Sequence, residues 1–413
     1  MHFSFGVALR TRRDLGRSSG RKAGASGLRA VPPVLIAAVV LAAFPRLADP
    51  EPPGERRAAG FRPSVHAPKQ DLLVGIKIYE RAGEMPRVFA EFEDLGFNTL
   101  FVSEALASDP EFRGLAREKK MAVFVIQPVF YDPEELKKDP DLHAVTDAGA
   151  PAREDWVAFA CPSRDEYRRR RVESIASAVA RLEPEGVSLD FIRFFAYWEM
   201  IRPDRSSASI PNTCFCTRCL ERFSRETGVR LPAASRTPQA AARWIEARHL
   251  EKWTDWKCRV ISSMVEDLVR RTRQVRPGLR VNLHAVPWRA DDFGGAIRRI
   301  VAQDFAVLSK LTDYISPMCY SAMLHRSPAW IASVVKDLEA RAACPILPSI
   351  QVKAHYPSDT PLDAAAFEAC LRAALAPPSA GVVFWSWDLL EKAPEAKRVI
   401  KRCLRAERSG PDV

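Results

Sequence analysis

Gly186-Val187-Ser188-Leu189-Asp190-Phe191-Ile192-Arg193-Phe194 is the stretch whose reading decides the fold. It starts as a short apolar run, the composition of a strand covered on both faces, and reaches an acid and a base. A carboxylate at the end of a buried strand is costly unless it is paired or functional. Seven more such runs can be found outward from it, at 72–79, 98–103, 121–127, 279–285, 312–320, 345–352 and 381–387. Helix-period segments lie between them, among them 86–95, 165–182, 238–275 and 328–342. Strand–helix alternation implies parallel strands. Eight such units over about 330 residues predict an α/β chain closed into a (β/α)8 TIM barrel, with an extended cysteine-containing insert after strand four. An open doubly wound sheet is the other arrangement considered, but no Gly-rich phosphate turn follows the first strand.

In such a barrel the chemistry sits at the C-terminal ends of the strands. Those ends hold Tyr79-Glu80, Ser103-Glu104, Gln127, Asp190 through Arg193, Asn282 with His284, Pro317-Met318-Cys319-Tyr320, Ser349 with Gln351, and Trp385-Ser386-Trp387-Asp388. Carboxylates, amides and flat aromatic rings at one mouth suit a sugar, whose hydroxyls need polar partners and whose C–H face needs an apolar one. Serine-hydrolase, zinc-protease and nucleotide-loop motifs are missing from the sequence.

The 413 residues are 47% hydrophobic and 27% charged, with a formal net charge of +11. Much of that charge is at the start, where residues 1–30 carry seven Lys/Arg against Asp14 alone. No basic stripe is interleaved with stacking aromatics, so nucleic acid is not an expected partner. The basic start runs into an apolar stretch at 31–44, the length of a signal-peptide core and short for a membrane span. Residues 1–48 are therefore expected to be a signal peptide or N-terminal anchor, 49–70 a Pro-rich linker, 71–405 the barrel and 406–413 a disordered tail. The expected location is exported: periplasmic, cell-envelope or extracellular. Membrane contact is expected only through an uncleaved N-terminal segment.

Four segments resemble bacterial glycoside-hydrolase barrels of the family-10-like and related kinds. They are Cys161-Pro162-Ser163-Arg164-Asp165-Glu166-Tyr167, the strand-four stretch quoted above, Gln303-Asp304-Phe305 leading into Asp313–Tyr320, and Gly381–Asp388. The resemblance spans roughly residues 70–405. It implies a poly- or oligosaccharide partner, no catalytic cofactor, and Asp190 as a catalytic carboxylate, with Arg193 expected to keep it ionised. Glycoside hydrolysis takes two carboxyl groups. Glu104, flanked by apolar residues that could raise its pKa, and Glu199, in Ala196-Tyr197-Trp198-Glu199, rank equally as the second, ahead of Asp388 and of Asp291-Asp292. Tyr79, Arg193, Tyr197, Trp198, Asn282, His284, Tyr320, Gln351, Trp385, Trp387 and Asp388 are the expected sugar contacts, with His284 equally readable as a core histidine. Strand alternation predicts Trp385 and Trp387 on one side, at the mouth. The chain departs from chitinase-like barrels, which have an acid where Ile192 stands, and from barrels with a strand-seven Glu, where Gln351 stands. These departures motivate the alternative expectation, a catalytically inactive glycan-binding barrel.

Cys214-Phe215-Cys216-Thr217-Arg218-Cys219 is the densest chemistry in the sequence. Its spacing fits three ligands of a structural zinc site, for which Cys161 or Cys258 would supply the fourth. A disulfide with a spare thiol and a buried cysteine pair are the other readings.

Overall fold

The computed structural model describes residues 72–235, 237–354 and 361–409. The N-terminal segments of the sequence reading, at 1–48 and 49–70, lie outside them. Eight parallel strands form one sheet: β1 (Leu73–Ile78), β2 (Thr99–Val102), β3 (Ala122–Pro128), β4 (Gly186–Asp190), β5 (Arg280–Ala285), β6 (Tyr314–Pro317), β7 (Ser349–Gln351) and β8 (Gly381–Trp385). Neighbours run in the order β6-β5-β4-β3-β2-β1-β8-β7. The gap between β6 and β7 is crossed by the bridges Ile315–Ile346 and Met318–Ser349, which nearly close the barrel. The chain is thus a (β/α)8 TIM barrel, with all eight expected strands present.

Helices cover the outside. Those used below are α1 (Met85–Leu95), α2 (Asp165–Leu182), α3 (Thr217–Thr227), α4 (Pro238–Arg248), α5 (Leu250–Val275) and α6 (Pro394–Ser409). The stretch 238–275, expected as one helix, is two, broken at His249 (ψ 24°). The boundary expected at 405 falls inside α6. Among the described residues no helix is long and apolar enough to cross a membrane.

Alternation along each strand sorts side chains into lumen and wall. The lower lumen is plugged by Leu73, Phe101, Phe124, Ile126, Leu347 and Val383. Gly75 and Gly186 make room for this plug: a Cβ there would lie 2.7 Å from the Phe101 ring and 2.3 Å from the Phe124 ring. The same alternation turns Lys77, Tyr79, Ser188, Asp190, Asn282 and His284 inward above the plug, where the lumen becomes polar. One expectation is corrected at β4. The strand ends at Asp190 rather than Phe194, because Phe191 turns into the left-handed region (φ 50°). That conformation costs a non-glycine residue about 1–2 kcal/mol. It leaves Asp190 as the last lumen-facing residue of its strand.

Candidate active site

Asp190 stands at the rim of the polar lumen, partly accessible from the mouth yet enclosed by protein. One carboxylate oxygen accepts the Phe191 N–H at 2.8 Å. Burial pushes its pKa up, and Lys77, the Phe191 N–H and Arg193 pull against that. The expectation that Arg193 keeps Asp190 ionised is therefore corrected in degree: burial outweighs it. Arg193 is itself buried, and its guanidinium donates to the carbonyls of Ala196 (2.9 Å) and Phe194 (3.3 Å) and lies 4.7 Å from the Phe159 ring centre. Burial lowers its pKa to about 10 while Glu199 and Asp190 raise it, so this one cation serves two acids.

Glu199 belongs to a single 3-10 turn, Trp198–Met200, in the connection after β4. Burial pushes its pKa up to about 7, with Arg193 opposing and the Asp190 charge adding to the rise. Its Oε2 is buried with no hydrogen-bond partner among the described residues, as is the indole nitrogen of the adjacent Trp198. Of the two candidates for a second carboxyl, the structure brings Glu199 into the field of Asp190. Glu104 instead opens a short helix (Glu104–Ala107), half exposed, where it accepts from Arg181 (2.7 Å) and from Gln127 (3.3 Å). Gln127 alternates with the lumen-facing Phe124 and Ile126, so this group belongs to the wall side of β3.

Sequence reasoning passed over Lys77. It is 1% exposed, in the lumen, with Nζ 3.3 Å from the Tyr320 hydroxyl and 3.4 Å from His284 Nδ1. Burial lowers its pKa to about 8 against the opposing pull of Asp190. Burial and Lys77 hold His284 well below the usual histidine range, so it is a neutral ring. His284 Nε2 meets Ser188 Oγ at 2.8 Å, and Asn282 donates to the same oxygen at 2.7 Å. A single lysine inside the apolar run Leu73–Ile78, in phase with Tyr79, was the available signal.

An aromatic wall faces these groups. Tyr320 stacks on Trp385 (ring centres 4.4 Å apart, 17° between planes), and Trp198 leans on Tyr320 at 5.8 Å. Trp385 alone of the three is partly open to solvent. Burial and Asp190 push the Tyr79 phenol up, while a Trp385 hydrogen bond opposes this. Tyr197 packs edge-on to Trp156 and reaches Asp155 at 3.4 Å. Asp388 is exposed, accepts from Ser386, and acts electrostatically on Tyr79. Two expected contacts point elsewhere. Gln351 is buried and accepts from the Met323 N–H at 3.0 Å while donating to the Lys353 carbonyl, bracing backbone. Trp387 is fully buried against Phe92 of α1, ring centres 4.8 Å apart. The strand stops at Trp385 and a helical turn begins at Trp387, so the two-residue period ends between them.

Beside the mouth, Cys161, Cys214, Cys216 and Cys219 bring four sulfurs within 4.8 Å of one another. Cys161 Sγ is 3.4 Å from Cys219 and 3.7 Å from Cys216. A tetrahedral zinc with Zn–S of about 2.3 Å needs sulfurs about 3.8 Å apart, so the group can hold a metal ion. The Val145 N–H donates to Cys214 Sγ at 3.2 Å and helps to fix the sulfur's position. Cys258 is not in the group; its thiol faces the Arg298 carbonyl. All nine cysteines are free, which removes the disulfide reading in this structure.

Solved structures whose fold resembles that of this chain include glycoside hydrolases. The PgaB (BpsB) glycoside hydrolase domain from Bordetella bronchiseptica aligns with TM-score 0.60 and 11% identity, over 80% of this chain and 98% of that one. The beta-galactosidase of the psychrophilic Marinomonas ef1 aligns with TM-score 0.59 and 13% identity, over 83% and 61%. Alpha-L-fucosidase isoenzyme 2 from Paenibacillus thiaminolyticus follows with TM-score 0.52 and 12% identity, over 81% and 49%. At these identities the likeness is one of fold. No protein-family model and no curated sequence matches the chain.

Proposed function

We propose that the protein is an exported glycoside hydrolase that cleaves a poly- or oligosaccharide with Asp190 and Glu199 as its two carboxyl groups. The observation that carries this reading is their shared burial, with Glu199 raised to about 7 and its Oε2 left without a partner. A carboxyl that is still about half protonated at pH 7 can donate to the leaving glycosidic oxygen. Asp190, the last lumen-facing residue of β4 and acted on by both Lys77 and Arg193, is assigned the role of base or nucleophile. Trp385, stacked on Tyr320 and with Lys353 Nζ 4.9 Å from its ring centre, is the partly exposed ring against which the apolar side of a sugar would pack, and the unpartnered Trp198 Nε1 would be a donor for a hydroxyl. Zinc in the four-cysteine group would be structural, since four thiolates leave no ligand position for water or substrate. Export rests on the basic and apolar character of residues 1–44. The resemblance to family-10-like barrels is consistent with this reading and is carried by the quoted motifs alone.

The test is turnover and binding on a panel of glycans by wild type, Asp190→Asn and Glu199→Gln. Cleavage by wild type that is lost in both variants, with binding retained, is the expected result. Binding without cleavage by any of the three would sink the hydrolase reading in favour of an inactive glycan-binding barrel. That alternative draws its support from Ile192 and Gln351, which stand where other barrels have acids.

A further inference from the structure

β4 leaves its ladder at the point where it delivers Asp190. Its pairing with β5 sets Ser188 opposite Asn282 and Leu189 opposite Leu283, so a continued strand would set Phe191 opposite Ala285. In a parallel pair that residue would give its N–H to the His284 carbonyl and accept the Val286 N–H on its own carbonyl. Phe191 does neither, because it turns into the left-handed region (φ 50°). Its N–H goes to the Asp190 carboxyl at 2.8 Å, and its carbonyl accepts from Phe130, just past β3, at 3.3 Å. His284 and Val286 are both buried, where an unpaired backbone donor or acceptor costs about 1–3 kcal/mol.

The Gln303 side chain makes those two bonds instead. It is fully buried; its Oε1 accepts the Val286 N–H at 2.9 Å, and its Nε2 donates to the His284 carbonyl at 3.1 Å. The same nitrogen donates to the Ile192 carbonyl at 3.4 Å, which ties the turn after Asp190 to the end of β5. The loop that brings Gln303 there is held in turn. The Gln303 N–H donates to the Ile297 carbonyl (2.9 Å), and the Phe194 N–H donates to the Val301 carbonyl (3.0 Å). Ala302, just before Gln303, also takes a left-handed φ of 59°, so both sides of this junction bear backbone strain of about 1–2 kcal/mol. We infer that Gln303 is a positioning residue of the mouth: its amide replaces Phe191 in the sheet, which frees that residue to turn and holds Asp190 as the last side chain β4 sends into the lumen.

The inference deepens the two-carboxyl reading above and rests on it for its catalytic meaning, but backbone amide exchange followed by NMR tests it without any substrate. In Gln303→Met, of similar length but without the amide, the Phe191 and Val286 amides should exchange about tenfold faster or more, the loss of roughly one hydrogen bond. Gln351→Leu removes another buried amide, at β7, and should leave both amides at their wild-type rates. Gln303→Glu serves if the Met variant does not fold. It keeps an acceptor for Val286 and loses the donor, so Phe191 alone should speed up. A Phe191 amide unchanged in a folded Gln303 variant overturns the inference and leaves Gln303 a brace of β5 only. If a glycan is cleaved, Gln303→Met should lower kcat about tenfold or more with KM near wild type; a change in KM alone also overturns the inference. If none is cleaved the hydrolase reading fails, while amide exchange still decides whether Gln303 holds the Asp190 turn.

Discussion

The barrel mouth and the cysteine-lined junction beside it share the connection that leaves β4, yet they treat their buried ionisable groups in opposite ways. At the junction four sulfurs gather within 4.8 Å, and the buried Lys257 of α5 donates to Asn212 Oδ1 (2.7 Å) and to the Arg299 and Ile300 carbonyls (2.9 Å each). At the mouth Glu199 Oε2 and Trp198 Nε1 are buried without partners among the described residues. An unsatisfied buried polar atom costs about 1–3 kcal/mol. The junction is not free of that cost, since Ser163 Oγ, Thr213 Oγ1 and Trp253 Nε1 are buried there without a partner; what sets the mouth apart is that a bare atom belongs to an ionisable group, as in a site that waits for a ligand.

Asp190→Asn against Cys219→Ser is the sharpest way to break this comparison. The first should lower turnover of any cleaved glycan by about a thousandfold without lowering the melting temperature or the bound metal. The second, or a strong chelator, should remove metal measured by native mass spectrometry and cost about 3 kcal/mol or more in denaturant unfolding. Equal metal content and stability in Cys219→Ser would end the structural-metal reading. Next in size is Lys257→Met, which strands the Arg299 and Ile300 carbonyls and should cost about 2–3 kcal/mol, again by denaturant unfolding, with any glycan affinity unchanged.

The smallest effect tests the mouth by pH. Glu199 has a folded pKa of about 7, above its ordinary 4.5, so the folded state disfavours its charge. Stability from this group is complete below the ordinary value and is lost as pH rises toward 7. Glu199→Gln should therefore match wild type in stability near pH 4 and exceed it by about 2 kcal/mol at pH 6. A variant equally destabilised at both pH values would mean that the carboxyl is a structural contact.

Legibility in the sequence followed the range of the interactions involved. Strand existence was readable because each apolar run carries its own pattern, from Leu73–Ile78 to Gly381–Trp385. Strand ends were not: Phe191 adopts a positive φ, and the helical turn after Trp385 cancels the alternation that placed Trp387 at the mouth. Glu104 and Glu199 both looked like acids among apolar neighbours. One turned out half exposed beside Arg181 and the other buried beside Arg193, a difference made by residues of other elements.

The sequence by itself determined the eightfold strand–helix alternation, the place of Asp190 at the end of the fourth strand, and the three-cysteine motif, since each is local in the chain. Only the tertiary structure decided that Cys161 is the fourth sulfur, that Glu199 rather than Glu104 enters the field of Asp190, and that Lys77 is at the floor of the mouth. Those facts depend on burial and on charges brought together from distant strands. Desolvation and Coulomb interactions act through space, and their outcome is set only when the barrel closes.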